Sequence, residues 1–208
     1  MTSATAEAPL PAANALYEAL LHHDGPWTVA DLDALGLDEK LKIEIDDGSL
    51  LVSPSPTREH QKVEYAIEAA LNASLGKRHD ISHDLDVVVD RPRYYRPDIV
   101  VSVRDWLPPH RGYRLTGADV ALAVEIESPG TLSYDRVIKL RAYARAGIPA
   151  YWRVEIDPLR VVEHRLTDPD SAEYEIVGQH DAVLRTEFPG PVEIDLRAIE
   201  EDVFGRFR

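Results

Sequence analysis

Hydrophobic residues recur along the chain with two spacings, every three to four residues in some segments and every second residue in others. The helical spacing is clearest after Thr57 and predicts a capped helix from Thr57 to about Leu75. A second helix is predicted over 133–146 and ends at Gly147, with Pro149 just beyond. The most apolar segment, Val120 to Glu127, predicts a buried central strand.

The remaining segments complete a mixed pattern. Lys42–Ile45 and Ser49–Val52 flank an Asp-Gly pair, which predicts a β-hairpin. Further strands are predicted at 85–89, 99–101, 150–156, 160–166, 174–177 and 192–196, short helices at 15–22 and 29–32, and a long loop at 105–117. Because strands outnumber crossover helices, we expect an α/β (α+β) fold with one mixed central sheet flanked by helices. The Ala/Pro-rich residues 1–13 are predicted to form a flexible tail, and 14–208 a single domain.

Composition narrows the class of protein. The chain has 208 residues, and its hydrophobic content of 44% is enough for a packed core. It contains no cysteine, which removes disulfides and cysteine nucleophiles and fits a cytoplasmic protein. We find no apolar stretch long enough to span a membrane and no secretory signal, so we expect no membrane partner.

The net charge of −14 argues against unspecific binding to nucleic acid, but the charge is unevenly distributed. Residues 51–160 hold 16 basic and 15 acidic side chains, so the acidic excess lies at the two ends. Within 91–114, six arginines alternate with four aromatic residues, which is typical either of an arginine-rich surface loop or of a surface that binds nucleic acid.

Carboxylates end the predicted central strand. Glu125 and Glu127 are two residues apart and therefore point to one face of the strand. Asp98, 27 residues earlier, opens its own strand, and side-by-side strands would bring the three carboxylates together. Oxygen ligands of this kind suit a hard cation such as Mg²⁺. Lys139 follows on the next helix, four residues after Asp135.

Ordinary alternatives exist for each of these residues. Asp135 and Lys139 have the spacing of a surface ion pair on a helix. Glutamates at a strand end are commonly solvated, and Asp98 after a proline suits a turn. His60 reads as a partly exposed surface histidine rather than a ligand.

Three segments in this order, IEIDDGSLLVSPSPTREHQKV, YRPDIVV and VEIESPGTLSYDRVIKLRAYARAGIPAYWRVEIDP, resemble the Uma2 family (DUF820) of restriction-endonuclease-like proteins. That family belongs to the PD-(D/E)XK nuclease superfamily. The resemblance extends from about Ile43 to Pro158, over half of the chain. It implies a restriction-endonuclease-like core, with a mixed sheet flanked by helices.

The resemblance also implies a set of site residues. The superfamily's proline-aspartate falls on Pro97-Asp98 and its second acidic residue on Glu125. The position two residues later, normally lysine, is Glu127, and Lys139 stands where the family supplies a lysine from the following helix. Glu44 matches an early glutamate that completes the metal site. The implied catalytic residues are therefore Asp98, Glu125 and Lys139.

Two functions remain open. The first is an endonuclease that uses Mg²⁺ (or Mn²⁺), held by Asp98, Glu125, Glu44 and Glu127, to hydrolyse the phosphodiester bonds of DNA. Glu127 is then either a ligand or a carboxylate that supports one. Five arginines would bind the nucleic acid, namely Arg91, Arg93, Arg96, Arg111 and Arg114. The second is an inactive nuclease fold that serves as a binding or assembly module. The superfamily also suggests a homodimer.

Overall fold

The structure, a computed structural model, describes residues 12–35, 41–103, 114–168 and 170–205. Five α-helices lie in these ranges, α1 Ala12–His22, α2 Val29–Leu35, α3 Arg58–Leu75, α4 Lys139–Arg145 and α5 Leu196–Phe204. The strands are β1 Lys42–Asp46, β2 Ser49–Ser53, β3 His79–His83, β4 Val87–Asp90, β5 Arg93–Tyr95, β6 Ile99–Val103, β7 Leu115–Thr116, β8 Val120–Ile126, β9 Ala150–Ile156, β10 Leu159–Arg165, β11 Glu175–His180, β12 Val183–Thr186 and β13 Val192–Asp195. A π-helical turn, Tyr134–Ile138, leads into α4.

A six-stranded mixed sheet in the order β11-β10-β9-β8-β6-β3 forms the centre of the fold. The apolar strand β8 pairs antiparallel with β6 and parallel with β9. The parallel pair is connected through α4, because parallel neighbours need a crossover. Ile99 lies opposite Val124, so Asp98 and Glu125 follow at the end of this strand pair.

A second sheet has the order β2-β1-β5-β4-β7. Its hairpin β1–β2 turns at Asp47 and Gly48, which have φ angles of 49° and 77°. Two consecutive positive φ values are what a tight hairpin turn requires, and Asp-Gly supplies them. This sheet places Glu44 of β1 close to the end of β8 in the central sheet, since the ammonium of Lys139 donates to both Glu44 Oε1 and Glu125 Oε1.

Two hydrophobic cores cover the two faces of the central sheet. On one face, α3 and α5 pack against buried residues of β6, β8 and β9, including Val124 and Trp152. On the other face, Tyr143 of α4 and Tyr151 pack with residues of β4, β5 and β7. The site therefore lies where the second sheet and α4 meet the central sheet. Within the described ranges, no helix is long and apolar enough to cross a membrane.

The predicted fold class is confirmed, as are the hairpin, the helix after Thr57 and the central strand. Several elements were not predicted, namely β3, β5, β7, β12 and α5, and with them the second sheet. The loop predicted at 105–117 lies mostly outside the described residues, but its last part forms β7 and a 3₁₀ turn, Gly117–Asp119. The flexible tail at 1–13 also lies almost wholly outside them, and the single domain stays a prediction.

Candidate active site

A cavity of about 750 Å³ opens at the ends of β6 and β8. Two Ser/Pro-containing loops, 53–57 and 128–131, line it, together with residues from β1, α3, the π-helical turn and α4. Asp98, Glu125 and Lys139 all line this cavity. The strand pairing and the α4 crossover thus bring together residues that are far apart in the sequence.

Asp98 is buried and held on both carboxylate oxygens. Its Oδ1 accepts a hydrogen bond of 2.6 Å from Lys42 Nζ. Its Oδ2 accepts one of 2.6 Å from the backbone N–H of Ile126 and lies 3.4 Å from His60 Nε2. Burial favours the neutral acid, but Lys42 and His60 outweigh it, so the pKa of Asp98 is lowered below its ordinary value. Asp98 is therefore a fixed anion.

Lys139 connects the two other carboxylates. Its ammonium donates to Glu44 Oε1 at 2.8 Å and to Glu125 Oε1 at 2.9 Å, and Tyr143 Oη donates to the same Glu125 oxygen at 2.7 Å. The Lys139 side chain is only 3% exposed. Burial opposes its charge, yet Glu125 and Glu44 raise the pKa of Lys139 well above the ordinary value. A charged lysine thus lies between two buried glutamates.

Asp135 belongs to the same buried cluster. Its Oδ1 lies 3.9 Å from Lys139 Nζ, and Oδ2 accepts a hydrogen bond from Thr131 Oγ1 at 2.6 Å. Asp135 and Lys139 are each 2% exposed, so the interpretation of the two as a surface ion pair is wrong. Burial raises the pKa of Asp135 to about 6, against the effect of Lys139.

Burial also raises the pKa of Glu125 above its ordinary value, because Lys139 and Lys42 offset only part of the cost of ionising it there. Glu64 lines the other side of the cavity, and burial with the nearby Asp98 raises its pKa to about 7. Asp98 is therefore held ionised in the cavity, whereas Glu125, Asp135 and Glu64 resist ionisation.

Two residues of the site were missed or misjudged from the sequence. His60, expected to be partly exposed, is only 7% exposed, and its Nε2 lies 3.1 Å from the carbonyl oxygen of Ile126. The signal was present, because His60 stands on the buried face of α3 that includes Val63 and Ile67. Lys42, two residues before Glu44, shares its strand face, but an exposed hairpin lysine would have the same pattern.

One known protein family matches most of this chain. The family model named Uma2, described as "Putative restriction endonuclease", matches residues 29–197. The chain belongs to the Uma2 family. The match is wider than the segment 43–158 that carried the resemblance in the sequence, and it includes all the elements that line the cavity.

A solved structure supports the fold of this Uma2 member. It is described as "a putative nuclease belonging to DUF820" from Anabaena variabilis, and it superposes with a TM-score of 0.66 at 16% identity. The alignment covers 86% of this chain and 100% of the other. At this identity the likeness establishes a shared fold. No curated protein matches the chain.

Glu127, expected from the resemblance at a position that is normally lysine, is held by two arginines. Arg136 binds it with two hydrogen bonds, of 2.6 and 2.7 Å, and Arg153 Nη1 donates to its Oε1 at 2.5 Å. Burial disfavours its ionisation, but these arginines prevail and lower the pKa of Glu127. The two arginines thus neutralise the extra acid, and Glu127 as a metal ligand remains only a prediction.

The arginines predicted to bind nucleic acid are mostly engaged within the chain. Arg93 pairs with Asp46, Asp47 and Asp90, whereas Arg96 pairs with Asp86. Arg114 pairs with Asp33 and Asp86, Arg91 is exposed, and Arg111 lies outside the described residues. Of the four that the structure describes, only Arg96 lines the cavity. The role of the five in binding nucleic acid stays a prediction.

The donor set of the cavity fits a divalent cation in its chemistry. Glu44, Asp98 and Glu125 supply the hard oxygens that Mg²⁺ prefers, and all three are buried and already compensated by cations. Those cations are the ammonium group of Lys42, which donates to Asp98, and that of Lys139, which donates to Glu44 and Glu125. With the lysines so placed, the described residues contain no group of three or more acidic or histidine side chains arranged to hold a metal.

Proposed function

We propose that this Uma2 member is a divalent-metal-dependent endonuclease that hydrolyses the phosphodiester bonds of DNA. Support comes from one observation above all. Asp98, Glu125 and the buried Lys139 line one cavity, and Lys139 donates both to Glu125 of the central sheet and to Glu44 of the second sheet. A purely structural buried cluster has no need of a cavity of about 750 Å³ at its edge.

In this proposal Asp98, Glu125 and Glu44 hold Mg²⁺ or Mn²⁺, and a bound ion supplies Lewis-acid polarisation of the phosphate and a water molecule of lowered pKa. Asp98 is suited to this role because its carboxylate is ionised and oriented by the backbone N–H of Ile126. Glu125 is oriented by Tyr143, which donates to Oε1 and leaves Oε2 toward other partners.

Lys139 supplies a fixed positive charge in a place that excludes most water. In hydrolysis of a phosphodiester, negative charge grows on the phosphate oxygens, and a preorganised cation lowers the energy of that state. The family resemblance gives the same role to Lys139. Its position on α4, directly after the π-helical turn, aims the ammonium at the end of β8.

A second candidate, a binding or assembly module without catalysis, is favoured by a different observation. Lysines hold the acidic oxygens of the cavity, arginines hold Glu127, and the whole chain carries a net charge of −14. A site whose carboxylates are already paired with lysines and arginines of the same chain is consistent with a nuclease fold that has lost its catalytic activity.

Cleavage assays separate the two candidates. Supercoiled plasmid, single-stranded DNA and RNA would be incubated with the full-length protein in Mg²⁺, in Mn²⁺ or in EDTA. We expect metal-dependent nicking of plasmid by wild type and none by Glu125→Gln. Glu193→Gln is the matched control, because Glu193 is an exposed glutamate paired with Arg185. Nicking that persists in EDTA, or that Glu125→Gln retains, would contradict the proposed metal-dependent endonuclease. No nicking by wild type in any metal would favour the binding module without catalysis.

A further inference from the structure

Lys42 is a second lysine of the site, and the family pattern assigns it no role. It is the first residue of β1, two residues before Glu44, and its ammonium lies 2.6 Å from Asp98 Oδ1. Its side chain lines the cavity and is 22% exposed. Lys42 is thus a cation bound to the first expected metal ligand.

The two lysines differ in how firmly they are held. Lys139 is 3% exposed and lies within 3.9 Å of three carboxylates, with the Tyr95 ring 5.6 Å from its ammonium. Lys42 has Asp98 as its one hydrogen-bond partner among the described residues, and the cavity lies beside it. Lys42 can therefore move away from its partner at much smaller cost than Lys139.

The hydrogen bonds of Asp98 indicate which of its oxygens a metal ion would bind, and Lys42 is the lysine bound to that oxygen. Oδ2 is engaged by the backbone N–H of Ile126 and faces His60, so Oδ1 is the oxygen open to the cavity. A Mg²⁺–oxygen bond measures about 2.0–2.1 Å, and Lys42 Nζ already lies 2.6 Å from that oxygen. The oxygen has two lone-pair directions, but a divalent cation and an ammonium bound to it together would lie only about 4 Å apart and would repel each other strongly.

We infer that Lys42 competes with the divalent cation for Asp98 Oδ1, leaves that oxygen when the cation binds, and then contacts a phosphate of the substrate through its freed ammonium. This inference rests on the proposed function for its substrate, but not for the competition itself. Lys42 remains tethered to β1 beside the cation, so a phosphate bound there lies within reach of its ammonium. Lys42 would thereby both weaken metal binding in the free protein and strengthen substrate binding.

The competition is tested by Mn²⁺ binding to the full-length, metal-free protein, measured by electron paramagnetic resonance. We expect Lys42→Met to bind Mn²⁺ on the order of 10- to 100-fold more tightly, because a like charge at close range is removed. Lys62→Met is the matched control, since Lys62 pairs with the exposed Asp202 at 3.0 Å on the surface of α3, and it should bind as wild type does. Lys42→Gln gives a second test should Lys42→Met fold poorly. Mn²⁺ affinity unchanged in both Lys42 variants overturns the competition.

The phosphate contact is tested by the binding of a short DNA duplex in Ca²⁺, followed by fluorescence anisotropy. Lys42→Met should bind the duplex about tenfold more weakly than wild type, as expected for one lost charge-assisted contact, while Lys62→Met should not. If Lys42→Met gains Mn²⁺ affinity but loses no DNA affinity, the phosphate contact of Lys42 is overturned and its competition with the divalent cation is supported. A wild type that cuts no DNA while Lys42→Met gains Mn²⁺ affinity counts against the nuclease and supports the competition.

Discussion

Lys139 lies among Glu44, Glu125 and Asp135 where water contributes almost no screening. Each carboxylate was transferred out of water during folding, and the ammonium is what compensates that cost. Tyr143 and the backbone N–H of Arg96 complete the hydrogen bonds of the two glutamates. The cluster is consequently sensitive to the loss of any one partner, and this holds whether or not the protein is a nuclease.

We therefore expect Lys139→Ala to lower the free energy of unfolding by about 3–5 kcal/mol, because it leaves buried carboxylates without a counter-charge. At a pH where Glu125 is ionised, adding Glu125→Gln should restore a large part of the loss, since it removes one of the orphaned charges. Urea unfolding of both variants checks this. Arg141→Ala, on an exposed position of α4, is the control and should change stability by less than about 0.5 kcal/mol. A loss of similar size in Lys139→Ala and Arg141→Ala would contradict the prediction.

The pKa of Glu125 gives a prediction about pH. Burial raises this pKa from 4.5 to about 8, so the folded chain retains a proton that the unfolded chain releases near pH 4.5. The stability that this proton contributes is present at low pH and lost as the pH rises toward 8. Glutamine has no proton to release, so the stability of Glu125→Gln relative to wild type should increase between about pH 5.5 and pH 8.5.

Urea unfolding of the metal-free protein at several pH values measures this difference. Glu193→Gln is the control, because Glu193 is exposed and Arg185 lowers its pKa, so Glu193 is ionised throughout this pH range. Its stability relative to wild type should stay constant over the same pH range. If the free energies of unfolding of Glu125→Gln and wild type change in parallel with pH, Glu125 ionises normally in the folded chain.

Sequence reasoning performed unevenly at the scale of single residues. Asp98, Glu125 and Lys139 were named from strand periodicity and from motifs, and the structure places them in one cavity. Glu44 was assigned to the site by the family resemblance alone. Lys42 was not found, because its importance depends on an ion pair with Asp98, just before β6, that no local pattern encodes. His60 was misjudged because it was considered apart from the buried stripe of its own helix.

At the scale of elements, helix α3 shows how a cap can serve the site. The Thr57 hydroxyl accepts a hydrogen bond of 3.2 Å from the backbone N–H of His60, which fixes the first turn of α3. The same turn presents the His60 ring to Asp98 and to the carbonyl of Ile126. The cap therefore stabilises the helix and also sets the position of a residue in the cavity.

We expect Thr57→Ala to lower the free energy of unfolding by about 0.5–2 kcal/mol, as is usual for the loss of an N-cap hydroxyl. Thr57→Ser retains the hydroxyl, so its free energy of unfolding should fall by a few tenths of a kcal/mol at most. The His60 ring should also respond, so its NMR signals should shift in Thr57→Ala and remain near wild type in Thr57→Ser. Equal losses in the two variants would mean that the methyl group, not the cap, matters at this position.

Elements with a strong local signal were predicted, and those that depend on distant contacts were not. Asp-Gly specified the hairpin β1–β2, and the apolar stripe specified α3. Strands β5 and β7 have three and two residues, too short for any periodicity. The π-helical turn over Tyr134–Ile138 was predicted as ordinary helix, because an extra residue in a helical turn is a response to packing, here of Asp135 and Lys139 in the cluster.

At the scale of the whole molecule, charge is the property that most constrains a DNA-cleaving function. The chain carries a net charge of −14, and three of the arginines within 91–114, Arg93, Arg96 and Arg114, are paired with aspartates. Among the residues that the structure describes, these ion pairs stabilise the second sheet and leave few arginines of this segment unpaired. Under the proposed function we therefore expect the contact with DNA to be narrow and centred on the cavity.

This view predicts a weak dependence of DNA affinity on salt. Each phosphate that a protein neutralises adds about 0.9 to the slope of log affinity against log salt, so two to four contacts give a slope of about −2 to −4. Fluorescence anisotropy of a short duplex in Ca²⁺, at several salt concentrations, measures the slope. Lys42→Met should make the slope shallower by about 0.9, because Lys42 lines the cavity. Arg114→Ala should leave it unchanged, because Arg114 already pairs with Asp33. A wild-type slope of about −8 to −10, typical of a protein with a broad basic face, would contradict a contact confined to the cavity.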